Sequence, residues 1–301
     1  MHTDRDSQLE RIIAGIKSGS IGAAEPRARS ARRRGTIYSG AKEILAPVLD
    51  SDAVARYEAA HGAHLETLRA DGARKHQQAV ATSDEHQAAL TAAAAARGKD
   101  IASLPLDKFE FIQPFLIQGP LDEAIISPNN NTAKLHFHTD ADGYQYHNAT
   151  FWFIWNNNQN VSVAVNLYGT IQANGFVHAG ADGGIFGGGR CDVLLDVFLG
   201  LVQGSLPPET QGYQTSQVQV LAHVVADSTG WLSLGDLEPS RIYGSVEALV
   251  QGVVVPAQRD AIFFVSFRSL STLNGDAVAD VDFTSGDFQI TCPGVLVQTV
   301  S

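Results

Sequence analysis

The sequence predicts an α+β protein in which an N-terminal α-helical segment, including a helical hairpin, precedes an antiparallel β-sandwich, with a jelly roll as one arrangement of its strands. Three observations support this prediction. Helical spacing of apolar residues is confined to the first third of the chain. After Leu104-Pro105, short apolar runs alternate with period two and are separated by turn signals. The sign of the net charge also changes near this point.

The formal net charge of -11 over 301 residues is unevenly distributed. Residues 1–105 hold 15 Lys and Arg against 13 Asp and Glu, whereas residues 106–301 hold 6 against 19. Such an acidic body lacks the clustered Lys and Arg that neutralise phosphates. Nucleic acid is therefore not expected as a ligand of the β body. Its charge fits cation binding or plain solubility.

Three segments are predicted: a short helix and an Arg-rich flexible linker (1–35), an α-helical hairpin region (36–105) and the acidic sandwich (106–301). In the first segment, Leu9, Ile12 and Ile16 recur at helical spacing. Ser7 and Glu10 fit a capping box that would begin this helix.

The second segment is predicted to hold two helices, over about 52–70 and 73–96, which Asp71-Gly72 would separate. The first of these helices carries a seam of residues spaced by three and four: Val54, Tyr57, His61, His64 and Leu68. The second is rich in alanine, and its small side chains would allow the two to pair closely as a helical hairpin.

Eight to ten strands are predicted in the third segment. The alternating or apolar runs lie at 151–155, 161–167, 191–199, 218–224, 262–267, 278–283 and 288–300. Turn signals between them include Asn174-Gly175, Asn274-Gly275 and Pro293-Gly294. This grouping predicts a sandwich but not the order of its strands.

Cys191 and Cys292 are too few for a disulfide framework, so two free buried thiols are predicted in preference to a pair. The N-terminus lacks a basic region followed by an apolar one, and no run of about 18 apolar residues occurs. We therefore expect no Sec signal peptide, no membrane-spanning helix and synthesis in the cytoplasm. Export by a signal-less route is left open.

A His-Phe-His run places His136 and His138 on one face of a strand, the spacing found in cupin-type metal sites. Asp140 or Asp142 follows closely and could add a carboxylate ligand, and His178 or His223 could supply a later histidine. However, the Glu and the second motif of a cupin are absent, and the alternative interpretation is two solvent-facing histidines beside a loop. A Ca²⁺ site at these aspartates, or at Asp280, Asp282 and Asp287, is also left open. Otherwise no cofactor is expected.

Partner binding is predicted at two places. Arg190 ends a glycine-rich stretch whose Phe186 would be an exposed apolar contact at the tip of a loop. The linker carries a basic run that could dock on an acidic surface: Arg27, Arg29, Arg32, Arg33 and Arg34. The alternative is a solvated charge run.

Two functional hypotheses follow. No complete catalytic motif is present, and the basic linker and acidic body are complementary in charge, as subunits of an assembly often are. We therefore expect a non-enzymatic structural or binding protein, such as a shell, appendage or toxin-like component, that forms homo-oligomers or binds another protein. The alternative is a metal-dependent enzyme or a carbohydrate-binding sandwich that uses the cluster His136, His138, Asp140 and Asp142.

Overall fold

The computed structural model describes residues 2–18, 50–102, 109–127, 131–184, 188–202, 213–229 and 233–300. Its helices are α1 (His2–Lys17), α2 (Ser51–Ala81) and α3 (Ser83–Ala102). The described strands are β1 (Phe109–Ile112), β2 (Leu116–Gln118), β3 (Glu123–Ile125), β4 (Thr132–Lys134), β5 (His136–Thr139), β6 (Gly143–Asn157), β7 (Val163–Ala181), β8 (Arg190–Val202), β9 (Tyr213–Thr215), β10 (Gln219–Asp227), β11 (Asp236–Val255), β12 (Arg259–Asn274), β13 (Ala277–Asp282), β14 (Gln289–Thr291) and β15 (Val295–Val300).

The strands pair antiparallel in two sheets. In the large sheet, β7 is central: β11 pairs along one side, and β15, β14 and β13 pair in turn along the other. Strands β1, β4 and β5 extend the sheet beyond these three, and β3 pairs with β4. The small sheet has the order β10-β8-β12-β6-β2, with β9 beside β8. The predicted fold class, helices followed by an antiparallel β-sandwich, is confirmed.

The core lies between the sheets, where alternate side chains of each strand meet. Phe153 of β6 pairs in register with Phe263 of β12, and their rings stack with centroids 5.5 Å apart. On β7, Val165 and Leu167 are fully buried on the opposite side of this core. Truncating a buried ring such as that of Phe153 to alanine costs about 3–5 kcal/mol. Because these side chains must stay in the core, they determine which face of each strand points outward.

Helix α1 covers apolar side chains on the outer face of the small sheet. Ile16 is fully buried there against a group of aromatic residues that includes Trp152 and Phe198. Gln118 joins the two layers: its Nε2 donates to the Ile16 carbonyl (2.9 Å), and its Oε1 accepts from Trp152 Nε1 (3.2 Å). The helix is therefore held by both burial and hydrogen bonds.

Helices α2 and α3 cover part of the outer face of the large sheet. The buried residues of α2 are Leu65, Gly72 and Ala79, whose spacing of seven places them on one face of the helix. At the start of α3, Asn174 of β7 donates from Nδ2 to the Ser83 carbonyl (3.0 Å). No helix within the described ranges is long and apolar enough to cross a membrane.

The predicted boundaries of the helices need two corrections. Helix α2 continues through Asp71-Gly72, and the interruption falls at Thr82 instead. The predicted break at Asp71-Gly72 is therefore wrong. The two helices follow each other across Thr82, and both pack on the sheet. They do not form a hairpin at Asp71-Gly72. Helix α1 begins at His2, so Ser7 lies inside the helix and is not its cap.

The strand predictions also need correction. Asn174-Gly175 lies within β7 and is not a turn: a Cβ on Gly175 would lie 2.4 Å from the ring of Phe283, so glycine permits this close approach. The described residues form fifteen strands, more than the eight to ten predicted, and β11 was not predicted. The turn at Asn274-Gly275 is confirmed. The prediction of two free buried thiols is also confirmed.

Candidate functional site

The outer face of the large sheet has a covered half and an open half. Along β7, every second side chain points to the outer face of the large sheet. Gln172, Asn174 and Phe176 are buried where α2 and α3 pack, whereas Asn166 and Tyr168 are partly exposed. The covered half carries titratable side chains and the open half carries aromatic and amide side chains, so each half contains a candidate site.

The covered half and its border carry what we call the histidine cluster: His76, His136, His138, His178, Asp280 and Asp282. Strand β13 lies between β5 and β7, and Asp280 stands opposite His138 on one side and His178 on the other. Oδ2 of Asp280 lies 3.2 Å from Nδ1 of His138 and 3.4 Å from Nε2 of His136. One carboxylate thus contacts two imidazoles of β5.

Helix α2 reaches this cluster through His76, whose Nε2 lies 2.9 Å from Oδ2 of Asp282. Oδ1 of the same carboxylate accepts hydrogen bonds from the backbone N–H groups of Thr284 (2.8 Å) and Ser285 (3.1 Å). Burial opposes ionisation of Asp282, but the hydrogen bonds outweigh it and lower its pKa to about 2. Asp282 is therefore an ionised anchor for α2.

His178 lies on β7 beneath helix α2 and is partly buried. Burial lowers its pKa; Asp280 opposes this effect, and the neighbouring His76 and His138 add to it. Its Nε2 is buried and has no hydrogen-bond partner among the described residues. A neutral imidazole is therefore favoured at this position.

The histidine cluster differs from the predicted metal site in its carboxylate. His136 and His138 do share the outward face of β5, as their spacing predicted. Asp140 and Asp142 lie exposed between β5 and β6, while Asp280 contacts the imidazoles. Across the described ranges, no three His, Cys, Asp or Glu side chains are grouped to hold a metal ion. The proposed metal roles of these residues stay predictions.

The open half presents three cross-strand rows of outward-facing residues, which we call the platform. The first row is Phe111, Leu296, Tyr168 and Leu249; the second is Phe109, Gln298 and Asn166; the third is Val300, Ala164 and Val254. Phe111 is 54% exposed and Leu249 is 39% exposed. Because neighbouring strands lie about 4.8 Å apart, the first row spans roughly 15 Å.

Three polar side chains at the centre of the platform hold one another in place. Oε1 of Gln298 accepts hydrogen bonds from the Tyr168 hydroxyl (2.9 Å) and from Nδ2 of Asn166 (3.1 Å). Oδ1 of Asn166 in turn accepts from the Gly252 N–H (2.9 Å). Since its oxygen is used in this way, Gln298 has its amide N–H groups left to donate to a ligand.

Sequence reasoning missed the platform because it spans four strands. The alternation of Val163, Val165 and Leu167 did predict that the residues between them point outward. The missing information was that β15 and β11 flank β7, since pairing between distant strands cannot be read from local periodicity. Nothing in the sequence therefore indicated that Gln298 lies beside Tyr168.

The predicted partner-binding residues are only partly described. Arg190 begins β8 and forms ion pairs with Asp192 (2.9 Å) and Asp227 (2.6 Å), and hydrogen bonding to Asp192 raises its pKa. Its role in binding a partner stays a prediction. The others lie outside the described residues: Arg27, Arg29, Arg32, Arg33, Arg34 and Phe186.

No family model matches this chain, and no curated protein matches it. Among solved structures, TmCBM61 in complex with β-1,4-galactotriose is 8% identical over 62% of this chain and 88% of that chain, with a TM-score of 0.21. The mannan-recognising carbohydrate-binding module TmCBM27 is 8% identical over 65% and 91%, with a TM-score of 0.19. An aminopeptidase from a marine sediment archaeon, Thaumarchaeota archaeon, is 8% identical over 64% and 37%, with a TM-score of 0.22. Similarities this weak do not bear on the function of this chain.

Proposed function

We propose that this chain is a non-enzymatic binding protein whose platform binds a neutral saccharide. The observation that carries the proposal is the hydrogen-bonded group of Tyr168, Gln298 and Asn166 at the centre of an open sheet face. Phe111 and Leu249 flank this group and are exposed. The platform therefore combines fixed polar groups with apolar surface on a rigid sheet.

This combination matches the chemistry of a sugar ring. The edge of a pyranose carries hydroxyl groups, which need both donors and acceptors, and the amide and phenol groups of the platform supply both. The face of the ring carries C–H groups, which pack on apolar or aromatic side chains. A flat sheet surface about 15 Å wide provides room for more than one sugar unit of an extended chain.

The charges near the platform favour a neutral ligand. Its three rows contain no Lys, Arg, Asp or Glu, and Glu247 of β11 lies one row away, opposite Thr170. An acidic polysaccharide would lie on the acidic body without a compensating cation in these rows. A neutral saccharide carries no such penalty.

A protein partner fits the platform less well. Protein interfaces concentrate apolar residues at the centre and polar residues at the rim. Here the amides lie in the middle row, and the apolar residues Phe111, Leu249, Val254 and Val300 lie in the rows on either side. Self-association through the platform is therefore the competing outcome of the experiment below.

The assembly hypothesis from the charge asymmetry rests on the Arg27–Arg34 run, which lies outside the described residues. The described helices α1, α2 and α3 pack on their own sandwich. The metal-dependent alternative stays a prediction at His136 and His138, and metal analysis of the purified chain tests it. The platform is the stronger candidate because hydrogen bonds already hold its polar side chains in place, without a bound metal ion.

Affinity electrophoresis tests the proposal. The full chain is run through gels that contain one neutral polysaccharide each, from a panel of galactan, mannan, xylan, β-glucan and starch. We expect at least one to retard the wild-type chain. Tyr168→Ala and Gln298→Ala should each weaken that binding about tenfold or more, which corresponds to about 1.4 kcal/mol.

Ile126→Ala is the matched control, because Ile126 is 46% exposed and lies outside the three rows. It should leave retardation unchanged. Retardation by no polysaccharide, or equal retardation of the control and the two platform variants, would contradict the proposal. So would a dimer in analytical ultracentrifugation that Tyr168→Ala dissociates, since the platform would then bind a second copy.

A further inference from the structure

A cavity of about 310 Å³ lies on the covered half of the large sheet, away from the platform. It opens where α2 meets α3 and where β7 and β11 pass beneath them. Its lining residues are Lys75, Gln78, Ala79, Thr82, His86, Phe176, Pro239 and Arg241. The floor is therefore partly apolar, and the polar residues around it include two cations and a histidine.

Arg241 is the unusual residue of this cavity. Its Nη1 donates to the Gly175 carbonyl (2.6 Å), its Nη2 donates to Oδ1 of Asn174, and its Cζ lies 4.6 Å from the centre of the Phe288 ring. All these partners are neutral. No carboxylate pairs with this guanidinium in the described part of the chain, and burial lowers its pKa. Arg241 is partly buried, and a cation that loses water without gaining a counter-charge is less favourable than a paired one.

The other charged side chain of the cavity adds donors. Lys75 uses one of its three N–H groups in an ion pair with Asp71 (3.1 Å). Nδ1 of His86 donates to the Thr82 carbonyl (2.7 Å), so Nε2 of the neutral ring is an acceptor and His86 adds no donor to the cavity. None of the lining residues is acidic. In a body that is otherwise strongly acidic, the lining of this cavity carries two cations and no carboxylate.

We infer that this cavity binds a small organic carboxylate whose apolar part rests on Phe176, Ala79 and Pro239. The carboxylate supplies the counter-charge that Arg241 lacks, and Lys75 strengthens the attraction from the rim. This site is separate from the saccharide platform, so the failure of one proposal leaves the other intact.

Phenylacetate is the probe, and phenylacetamide is its neutral counterpart of nearly equal size. Both are titrated into the ¹⁵N-labelled full chain, and amide shifts are followed by NMR. We expect phenylacetate to bind saturably, with shifts at Gln78 and Thr82, and phenylacetamide to bind at least about tenfold more weakly. A short peptide that ends in Phe carries the same chemistry; tighter binding of the peptide than of phenylacetate would identify a polypeptide terminus as the source.

Lys75→Gln and Arg74→Gln form a matched pair. Both residues form an ion pair with Asp71 and both are exposed, by 47% and 61% of their side chains, but only Lys75 lines the cavity. Lys75→Gln should weaken phenylacetate binding about threefold or more, and Arg74→Gln should not. Arg241→Gln also removes hydrogen bonds that support the fold. If that variant does not fold, the comparison of Lys75→Gln with Arg74→Gln decides the test.

Absence of saturable binding up to about 20 mM phenylacetate would overturn the inference. Equal binding of phenylacetamide would overturn it as well, because the charge would then contribute nothing. So would an equal loss of affinity in Lys75→Gln and Arg74→Gln.

Discussion

His178 is the residue at which helix α2 and the large sheet come especially close. A Cβ on Gly72 would lie 3.3 Å from its Nε2, and this nitrogen is buried without a hydrogen bond among the described residues. Protonating both ring nitrogens would therefore create a charge in a site where the N–H at Nε2 has no acceptor among the described residues. Burial accordingly lowers the pKa of His178, despite the opposing effect of Asp280.

This lowered pKa makes stability depend on pH. The unfolded chain takes up the proton at the ordinary pKa of about 6.5, before the folded chain does, so the free energy of unfolding decreases as the pH falls through that value. His178→Gln should make the decrease between about pH 7.5 and pH 5.5 smaller. Urea unfolding at several pH values measures it.

His64→Gln is the control, because His64 lies on the same helix and has no hydrogen bond among the described residues. It should keep the pH dependence of the wild-type chain. Asp282 does not interfere: its pKa is lowered to about 2, so its stabilising effect is lost only as the pH falls below about 4. A pH dependence that is the same in His178→Gln and the wild-type chain would contradict this explanation.

The spacing of His136 and His138 predicted their shared face but not their neighbour. The alternation of side chains along a strand depends only on local geometry, so it can be read from the sequence. Asp280 follows them by more than 140 residues, and only the position of β13 between β5 and β7 brings it near. The sequence near the two histidines therefore offered Asp140 and Asp142, whose role as ligands stays a prediction, but gave no indication of Asp280.

At the level of elements, α2 illustrates how tertiary packing overrides a local signal. Gly72 costs the helix about 1 kcal/mol relative to alanine, and for that reason Asp71-Gly72 was predicted to end it. In the structure, Gly72 faces His178 and the helix continues for nine more residues to Ala81. Glycine allows α2 to approach the sheet closely at this point. Strand β11 was missed although its burial alternates from Ile242 to Val250, because its inward positions include the small residues Gly244 and Ala248.

Two glycines of α2 give a matched test of this interpretation. A Cβ on Gly62 would meet no atom within 4 Å, whereas a Cβ on Gly72 would press on His178. Gly62→Leu should therefore leave stability unchanged or raise it by a few tenths of a kcal/mol or more, because leucine favours a helix. Gly72→Leu should lower the free energy of unfolding by about 1–3 kcal/mol.

Thermal unfolding measures both variants, and hydrogen exchange at the amides of α2 locates the effect. Faster exchange along α2 in Gly72→Leu alone would confirm that close packing holds the helix on the sheet. Equal melting temperatures of the two variants would show that Gly72 has no special role in this packing.

At the level of the whole molecule, helices cover parts of both outer faces of the sandwich and leave the platform open. Helix α1 covers aromatic residues of the small sheet, and α2 and α3 cover one half of the large sheet. The outward residues of β7 change from buried to partly exposed between Gln172 and Thr170. The division into helices and a sandwich could be predicted from periodicity and charge. The open half could not, since it depends on where the helices pack.

Hydroxyl-radical footprinting of the full chain, with and without the tightest-binding saccharide of the panel, tests the proposed function most directly. We expect the ligand to slow oxidation at the platform residues Phe109, Phe111, Tyr168 and Leu249 by about threefold or more. Ile125 and Ile126, which are exposed outside the platform, should be oxidised at an unchanged rate. Protection confined to other parts of the chain, with the platform oxidised as before, would contradict the assignment of the platform as the binding site.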